Sequence, residues 1–304
     1  MNKSNEIITE IANRFPTQKS IWDLYLSMSE KEEMAFTSIL NAVCDIYNIN
    51  INDIVDYYEL FVNDTLTESR YFFEHGCYRH STYEEVDEYM KSKSDHYMHK
   101  YQIGLLLSLF LWPNHIEMRN NFANAFMGMS GKRYLEIGVG HGYYFSEAIA
   151  NFSYESYFGI DINEDSLHMA KAIIGSRLEC KNKQYKLALI DFLNMEPCET
   201  YDAIVSGEVL EHVEKPEKFL QKIAEVANEN TLIFITTVIN APAVDHISLF
   251  KDPDELRRLF HESGLHIINM NTILYKSSKS IETHLEKKWP LTVSITAKKQ
   301  SIGV

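Results

Sequence analysis

The 304-residue sequence predicts an open, doubly wound α/β domain with a seven-stranded sheet, preceded by an all-helical domain. Two observations predict this fold class. Up to residue 128, apolar residues recur at spacings of three and four and glycine is rare, as is typical of helices. From residue 131, short β-branched runs alternate with helical patterns, as in a parallel sheet flanked by helices. We therefore expect a helical lid and substrate domain over residues 1–128 and an α/β domain over residues 129–304.

Six helices are predicted in the amino-terminal segment, each with an apolar face for packing. The fifth is expected to be long and to end before Pro113, because proline removes a helical hydrogen bond and its ring clashes with the preceding turn. The first surrounds Ile7, Ile8 and Ile11, and the others cover residues 20–28, 31–47, 53–66, 84–112 and 113–128.

Seven strands are predicted in the second part of the chain, at residues 133–139, 157–161, 185–191, 201–206, 231–238, 265–270 and 291–297. The last strand follows a Lys/Glu-rich helical stretch over residues 275–290. A strand that arrives after such an excursion is often antiparallel at the edge of a sheet. We therefore expect the seventh strand to be antiparallel and to form an edge.

Composition excludes several classes of protein. The 43 acidic residues outnumber the 29 basic ones, and the net charge of -14 disfavours nucleic acid as a partner. The four cysteines, at positions 44, 77, 180 and 198, form no C-x-x-C pair, so neither a zinc knuckle nor a disulfide framework is expected. The amino terminus lacks an apolar signal region, and the most apolar stretch, residues 103–112, is too short to cross a bilayer. We expect a cytoplasmic protein that acts on a small molecule without membrane contact.

A glycine-rich turn follows the first predicted strand and precedes a helix. Gly138, Gly140 and Gly142 occupy alternate positions, so the backbone can bend sharply and a ligand can approach the positive end of the next helix. Dehydrogenases use G-x-G-x-x-G, whereas the third glycine here comes one residue early and Glu136 precedes the turn. The spacing favours a different adenosine ligand.

Acidic residues end the next two strands. Asp161 closes the second strand, where a carboxylate can accept hydrogen bonds from both hydroxyls of a ribose. Asp191 and Phe192 close the third, where a carboxylate beside an aromatic ring suits an adenine edge. Each acid, taken alone, is also compatible with a helix cap or a turn. Together with Glu136 and the glycines, they form a far more specific pattern.

In these motifs the chain resembles the class I S-adenosylmethionine-dependent methyltransferases, with a Rossmann-like sheet, over about residues 128–299. The match includes the E-x-G-x-G-x-G loop, the acids after the second and third strands, and the segment SGEVLEHV at 206–213. The resemblance implies that Glu136 and the glycine loop face the methionine part of S-adenosylmethionine. It places the ribose at Asp161 and the adenine at Asp191 and Phe192. Two further cofactor contacts follow from it, Ile162 and Ser206.

Carboxylates and imidazoles follow the fourth and fifth strands. Glu208, Glu211, His212 and His246 offer two oxygens and two nitrogens, a set that suits Mg, Mn, Fe(II) or Zn. The arrangement resembles the metal-dependent O-methyltransferases of ubiquinone biosynthesis and of small-RNA 3′ ends. The same segment also occurs in class I enzymes that use no metal. In that case Glu208, His212 or His246 remains a catalytic candidate, with a histidine as general base, unless His246 only bonds to the backbone.

The resemblance implies methyl transfer to a small molecule, with oxygen as the favoured acceptor atom. C-methylation of a 2-oxo acid or a similar enolisable metabolite is the alternative reaction, and a non-catalytic cofactor-binding partner is the alternative class. Tyr97, Tyr101 and Asn240 are predicted substrate contacts, and His141 is expected to contact the cofactor or face solvent. Aromatic residues in 57–73 fit the interface of a homodimer as readily as a core.

Overall fold

The computed structural model describes residues 3–16, 20–93, 96–196, 199–275 and 278–300, so Cys198 lies outside the described residues. Seven helices precede the first strand in the described part of the chain. They are α1 (Lys3–Arg14), α2 (Ser20–Leu26), α3 (Glu30–Tyr47), α4 (Ile51–His75), α5 (Tyr83–Ser92), α6 (Tyr97–Leu111) and α7 (Pro113–Phe126). None of the described helices combines the length and the apolar character needed to cross a membrane.

The α/β part alternates strands and helices in the predicted manner, and all seven predicted strands are confirmed. Its strands are β1 (Ser130–Ile137), β2 (Ser153–Asp161), β3 (Tyr185–Leu189), β4 (Tyr201–Gly207), β5 (Ala227–Ile239), β6 (Leu265–Leu274) and β7 (Leu291–Lys299). Its helices are α8 (Tyr143–Asn151), α9 (Glu164–Ser176), α10 (Pro216–Val226), α11 (Pro253–Glu262) and α12 (Ile281–Lys287).

The long helix predicted over residues 84–112 is wrong, because the chain breaks it between α5 and α6. His96 precedes α6 with a φ of +61°, a left-handed backbone conformation that an α-helix cannot continue through. Two shorter helices therefore cover this region, and α6 ends before Pro113 as predicted. The fourth helix is longer than predicted, since α4 continues to His75 and stops at Gly76, whose φ is +75°.

The strands form one sheet in the order β3-β2-β1-β4-β5-β7-β6. The first five strands are mutually parallel. From β1 the chain adds β2 and β3 on one side and then β4 and β5 on the other, so the order of the strands reverses between β1 and β4. In open α/β sheets, ligands bind at the carboxyl ends of the strands beside such a reversal. The topology alone therefore places a ligand crevice next to the glycine turn.

The seventh strand is antiparallel as predicted, but its predicted edge position is wrong. β7 lies between β5 and β6 and pairs with both in antiparallel register. Its residues are buried over most of the strand, whereas β6 is exposed at several positions and forms the edge. The order of strands along the chain does not reveal such an insertion, because the chain returns after α12 to a position between β5 and β6, both of which come earlier in the sequence.

The helical segment and the sheet share one hydrophobic core. Phe122 of α7 lies with its ring 4.9 Å from that of Tyr144 and 5.5 Å from that of Phe234 on β5. Asn121 donates a hydrogen bond to Ser294 of β7 over 3.0 Å. The helix is therefore anchored on one face of the sheet, which positions α6 and α5 over the carboxyl ends of the strands. The division of the chain into two domains stays a prediction.

Candidate active site

A cavity of about 360 Å³ opens at the carboxyl ends of β1 to β4. The ends of the strands and the glycine turn form one side, and α5, α6 and the start of α7 form the other. The helical side is largely apolar, with side chains from Val86, Met90, Met98, Leu105, Leu109 and Met118. Such a cavity excludes water from a bound ligand and matches the concave, mostly apolar form of small-molecule sites.

The glycine turn fits the sheet on one side and leaves space on the other. All three glycines have a positive φ, and at Gly142 an added Cβ would lie 2.5 Å from the backbone of Ala170. A Cβ at Gly140 would meet nothing within 4 Å, although its φ of +50° disfavours a side chain. Gly142 is therefore needed for packing on α9, while Gly140 leaves a bare backbone surface on the cavity for a ligand.

Asp161 lies at the end of β2, and its carboxylate holds the glycine turn. It accepts hydrogen bonds from the backbone N–H of Gly140 over 2.8 Å and of Asn163 over 2.9 Å. Burial raises the pKa of Asp161, and these backbone bonds partly offset that shift. Each carboxylate oxygen keeps a lone pair for a ligand hydroxyl. Ile162, the next residue, also lines the cavity with about half of its surface exposed.

Glu136 is buried near the end of β1 and lines the cavity. Its Oε2 accepts a hydrogen bond from the Tyr134 hydroxyl over 2.7 Å. Burial raises the pKa of Glu136 to about 8, against the hydrogen bonds from Tyr134 and from the backbone of Phe145. Its position beside the turn is the one that the resemblance implies, and a cationic ligand there would favour the ionised form.

The structure brings Asp191 and Phe192 to the cavity but leaves Ser206 out of its lining. The Asp191 carboxylate accepts hydrogen bonds from the backbone N–H of Leu193 and the side chain of Asn194, so it also fixes the turn after β3. Phe192 is buried. Ser206 is fully buried in β4, and its hydroxyl donates to the Ile137 carbonyl over 3.3 Å. Its predicted cofactor contact therefore does not fit its position.

Three of the four predicted metal ligands come together after β4 and β5. Ligand atoms of Glu211, His212 and His246 lie within 4.8 Å of one another, and the two imidazole rings lie 4.8 Å apart. Nδ1 of His212 lies 2.9 Å from the carbonyl oxygen of Asp245, and Nδ1 of His246 lies 2.7 Å from that of Ala241. Since a carbonyl only accepts, each Nδ1 carries the proton and each Nε2 keeps its lone pair.

Several carboxylate oxygens of this cluster are buried without a hydrogen-bond partner. They are Oε1 of Glu208, Oε1 of Glu211 and Oδ1 of Asp245. Burial raises the pKa of Glu208 and of Glu211, and the charge of Glu211 adds to the shift at Glu208. Glu208 is not a member of the group of three, but it lines the cavity together with His212 and Asp245. Since buried polar atoms are nearly always hydrogen-bonded, these oxygens are candidates for contact with a ligand or an ion.

Of the three predicted substrate contacts, only Tyr101 lines the cavity. The hydroxyl of Tyr97 donates to Asp64 over 2.6 Å, within the helical segment. The side chain of Asn240 donates to the Lys251 carbonyl over 3.4 Å, in the loop after β5. Both side chains thus satisfy their polar atoms away from the cavity, and neither position supports the predicted contact.

Other residues of the site did not follow from the sequence. Gln102 and Tyr144 line the cavity, and each has a buried oxygen without a hydrogen-bond partner. Tyr78, from the loop after α4, is buried and lies with its ring 5.7 Å from that of His246. For Gln102 the signal was a polar residue beside the apolar stretch 103–112. For Tyr78 and Tyr144 we find no such signal.

The sequence profile of a methyltransferase domain matches residues 116–269, just over half of the chain. The protein therefore belongs to this family, and the predicted class, the S-adenosylmethionine-dependent methyltransferases, is confirmed. The ubiquinone biosynthesis O-methyltransferase of Nitrosospira multiformis is 27% identical over 170 residues, which cover 49% of this chain and 69% of that protein. The mitochondrial ubiquinone biosynthesis O-methyltransferase of Homo sapiens is 30% identical over 114 residues. These residues cover 36% of this chain and 29% of the human protein.

Among solved structures, the chain is similar to the N-methyltransferase NodS from Bradyrhizobium japonicum in complex with S-adenosyl-L-homocysteine. The TM-score is 0.51 at 13% sequence identity, and the alignment covers 73% of this chain and all of the other. At this identity the likeness concerns the fold. It confirms the seven-stranded Rossmann-like sheet with a helical region before the first strand.

Proposed function

We propose that the protein transfers the methyl group of S-adenosylmethionine to a hydroxyl oxygen of a small molecule, with a divalent cation bound beside the acceptor. The observation that carries the proposal is the Glu/His cluster after β4 and β5, which reaches the cavity through His212. Its two histidines each direct Nδ1 at a backbone carbonyl, so that in the neutral ring Nε2 keeps its lone pair. The names of the curated relatives, O-methyltransferases of ubiquinone biosynthesis, support oxygen as the acceptor atom.

The residues of the cluster fit a cation. Metal-binding histidines commonly donate their second ring N–H to a carbonyl, as His212 and His246 do. Glu211 adds a carboxylate whose Oε1 has no partner, and mixed nitrogen and oxygen ligands suit Zn, Fe(II) or Mn. We therefore assign Glu211, His212 and His246 as the residues that would hold the ion. When bound, a divalent cation lowers the pKa of a hydroxyl near it.

The chain itself supplies alignment, water exclusion and a proton acceptor. The acceptor oxygen attacks the methyl carbon, the carbon–sulfur bond breaks with its electron pair remaining on sulfur, and the hydroxyl proton passes to Glu208. Glu208 suits this step because it lines the cavity and its Oε1 has no hydrogen-bond partner. Burial raises its pKa, so its ionised form is a stronger base than an exposed glutamate and becomes more abundant as the pH approaches 8. Alignment of the two reactants in a closed cavity accounts for a large share of the acceleration, about 7 to 11 kcal/mol in favourable cases.

The test is an assay of the purified protein with S-adenosylmethionine and a panel of phenols, catechols and enols. We expect formation of S-adenosylhomocysteine and a product 14 mass units heavier with the methyl group on oxygen. EDTA should reduce the rate at least about tenfold, since a cation contributes several kcal/mol, and Mn²⁺ or Zn²⁺ should restore it. His246→Gln should remove the response to added ions and the binding of Mn²⁺ in calorimetry.

His261→Gln is the matched control, because His261 is exposed on α11 away from the cluster. It should respond to ions as the wild-type protein does. If the wild-type protein kept full activity in EDTA and His212→Gln lost it, the cation would be rejected and His212 would be assigned as the general base. A product methylated on carbon would reject oxygen as the acceptor atom.

A further inference from the structure

The helical segment contacts the Glu/His cluster through the loop between α4 and α5. Tyr78 of this loop is buried, and its ring lies 5.7 Å from that of His246 at an angle of 59°. Separations of this size are typical of aromatic rings that pack directly on one another. The proposed reaction gives Tyr78 no role, yet its ring packs on a residue that we assign to the cation.

Tyr78 is fixed by contacts with α4. This helix ends at Gly76, and Arg79 returns to it with Nε 3.0 Å from each carboxylate oxygen of Glu68. Glu68 is buried, and solvent screens an ion pair with a buried partner only weakly. The ring of Phe72 lies 5.7 Å from that of Tyr78. The loop therefore presents the Tyr78 ring from a defined position.

The loop that carries His246 is also packed against the helices. Val244 is buried against three aromatic residues of α4 and α6, which are Phe61, Tyr97 and Tyr101. The loop after β5 is thus attached to the helical segment at two neighbouring residues, Val244 and His246. The side chain of His246 therefore depends on the helical segment for its surroundings.

His246 needs a fixed ring orientation to bind a cation. Its Nδ1 donates to the Ala241 carbonyl over 2.7 Å, which leaves Nε2 as the ligand atom. One hydrogen bond fixes one atom of the ring but allows the ring to pivot about it. The contact with Tyr78 restricts this motion, whereas the ring of His212, 4.8 Å away, is itself a candidate ligand. Side chains that contact a metal ligand commonly set its orientation in this way.

We propose that Tyr78 is a positioning residue, whose ring holds the imidazole of His246 in the orientation that a divalent cation requires. The inference rests on the cation of the proposed function. Because the observed contact joins the two rings, the ring of Tyr78 and not its hydroxyl sets the affinity for the metal. The helical segment then supplies the alignment of one ligand as well as a wall of the cavity.

The test measures the binding of Mn²⁺ alone by calorimetry, and S-adenosylhomocysteine is titrated separately as a probe of the glycine turn. We expect Tyr78→Leu, which removes the ring, to weaken Mn²⁺ about tenfold or more, the usual loss when a residue that orients a metal ligand is removed. Affinity for S-adenosylhomocysteine should stay within about twofold, as for an independent site. Tyr78→Phe keeps the ring and should bind Mn²⁺ nearly as well as the wild-type protein.

Tyr25→Leu is the matched control, because Tyr25 is a buried tyrosine of α2 whose ring packs on Trp22 within the helical segment. It should leave the affinity for Mn²⁺ unchanged even if it lowers the melting temperature. If Tyr78→Leu does not fold by circular dichroism, Tyr78→Met removes the ring with a smaller loss of volume and carries the same comparison.

Unchanged affinity for Mn²⁺ in Tyr78→Leu would overturn the inference, and so would an equal loss in Tyr78→Phe. Equal losses for Mn²⁺ and S-adenosylhomocysteine would also overturn it, because they would indicate a general effect on the fold. A wild-type protein that binds no Mn²⁺ is a different result, which rejects the cation of the proposed function and this inference together.

Discussion

At the scale of the residue, Glu136 couples the site to pH. Burial raises its pKa to about 8 in the folded protein, while an unfolded chain leaves it near the ordinary glutamate value of about 4.3. Between these values the folded state holds a proton that the unfolded state has lost. The free energy of unfolding therefore decreases as the pH rises through this interval and levels off above about pH 8.

Glu136→Gln should remove this contribution. We expect the stability of the wild-type protein relative to the variant to decrease steadily from pH 5 to pH 8 in urea unfolding. Other buried carboxyl groups such as Glu208 titrate in both proteins, so the difference isolates Glu136. Glu217→Gln, at an exposed glutamate on α10, serves as the control. Parallel stability profiles for wild type and Glu136→Gln would show that burial does not shift this group.

Residues that follow a strand directly were predictable from sequence, and residues contributed by the helices were not. Asp161 and Asp191 stand at strand ends, and parallel strands bring their carboxyl ends to one edge of the sheet. His115 and Gln102 reach the same cavity from helices whose packing on the sheet depends on tertiary contacts. Tyr97 illustrates the failure, since its helical spacing matched that of Tyr101 but Asp64 binds its hydroxyl elsewhere.

At the scale of the element, the glycine turn separates a packing role from a binding role. Gly142→Ala should destabilise the fold strongly, because the new Cβ would lie 2.5 Å from the Ala170 backbone at a φ of +82°. Gly140→Ala faces open space, so its cost is the left-handed backbone alone, about 1 to 2 kcal/mol. Its Cβ would occupy the surface left bare for the cofactor.

Thermal melting and calorimetry with S-adenosylhomocysteine distinguish the two roles. We expect Gly142→Ala to lower the melting temperature by clearly more than Gly140→Ala does. Gly140→Ala should instead weaken the binding of S-adenosylhomocysteine strongly while lowering the melting temperature only slightly. Each variant is the control of the other, since the two residues are separated only by His141. Equal melting temperatures would contradict the packing role assigned to Gly142.

Whole elements were predicted more securely than their junctions. Every strand was anticipated because alternation of β-branched runs with helices repeats along the chain. The break before α6 was not, because Met90 and Tyr97 are seven residues apart, a spacing that one helix allows, and this pattern does not reveal the extended Lys93 or the left-handed His96. The insertion of β7 between β5 and β6 was also missed. The residues of a strand predict that it is a strand, but they do not predict which other strands it pairs with.

At the scale of the whole molecule, charge is arranged to favour a cationic ligand. The chain carries a net charge of -14, and the cavity is lined by acidic residues without a Lys or Arg among its described lining residues. The acids are Asp87, Glu136, Asp161, Asp191, Glu208 and Asp245. S-adenosylmethionine differs from S-adenosylhomocysteine by a methyl group and the positive charge on sulfur. The field of the protein should therefore favour the substrate form of the cofactor over its product.

This preference should depend on salt. At pH 8.5, where Glu136 is largely ionised, we expect the protein to bind S-adenosylmethionine more tightly than S-adenosylhomocysteine. We expect the ratio of the two affinities to fall as the NaCl concentration rises from 20 to 500 mM. Added salt screens the long-range field of the surface charge but leaves direct contacts in a buried cavity largely intact. Calorimetric titration of both ligands across the salt series measures the ratio, and S-adenosylhomocysteine controls for every contact except the one with the charged sulfur. A ratio that stays constant would mean that only short-range contacts favour the positively charged sulfur. In that case the acidic residues that line the cavity, and not the net charge of the molecule, distinguish S-adenosylmethionine from S-adenosylhomocysteine.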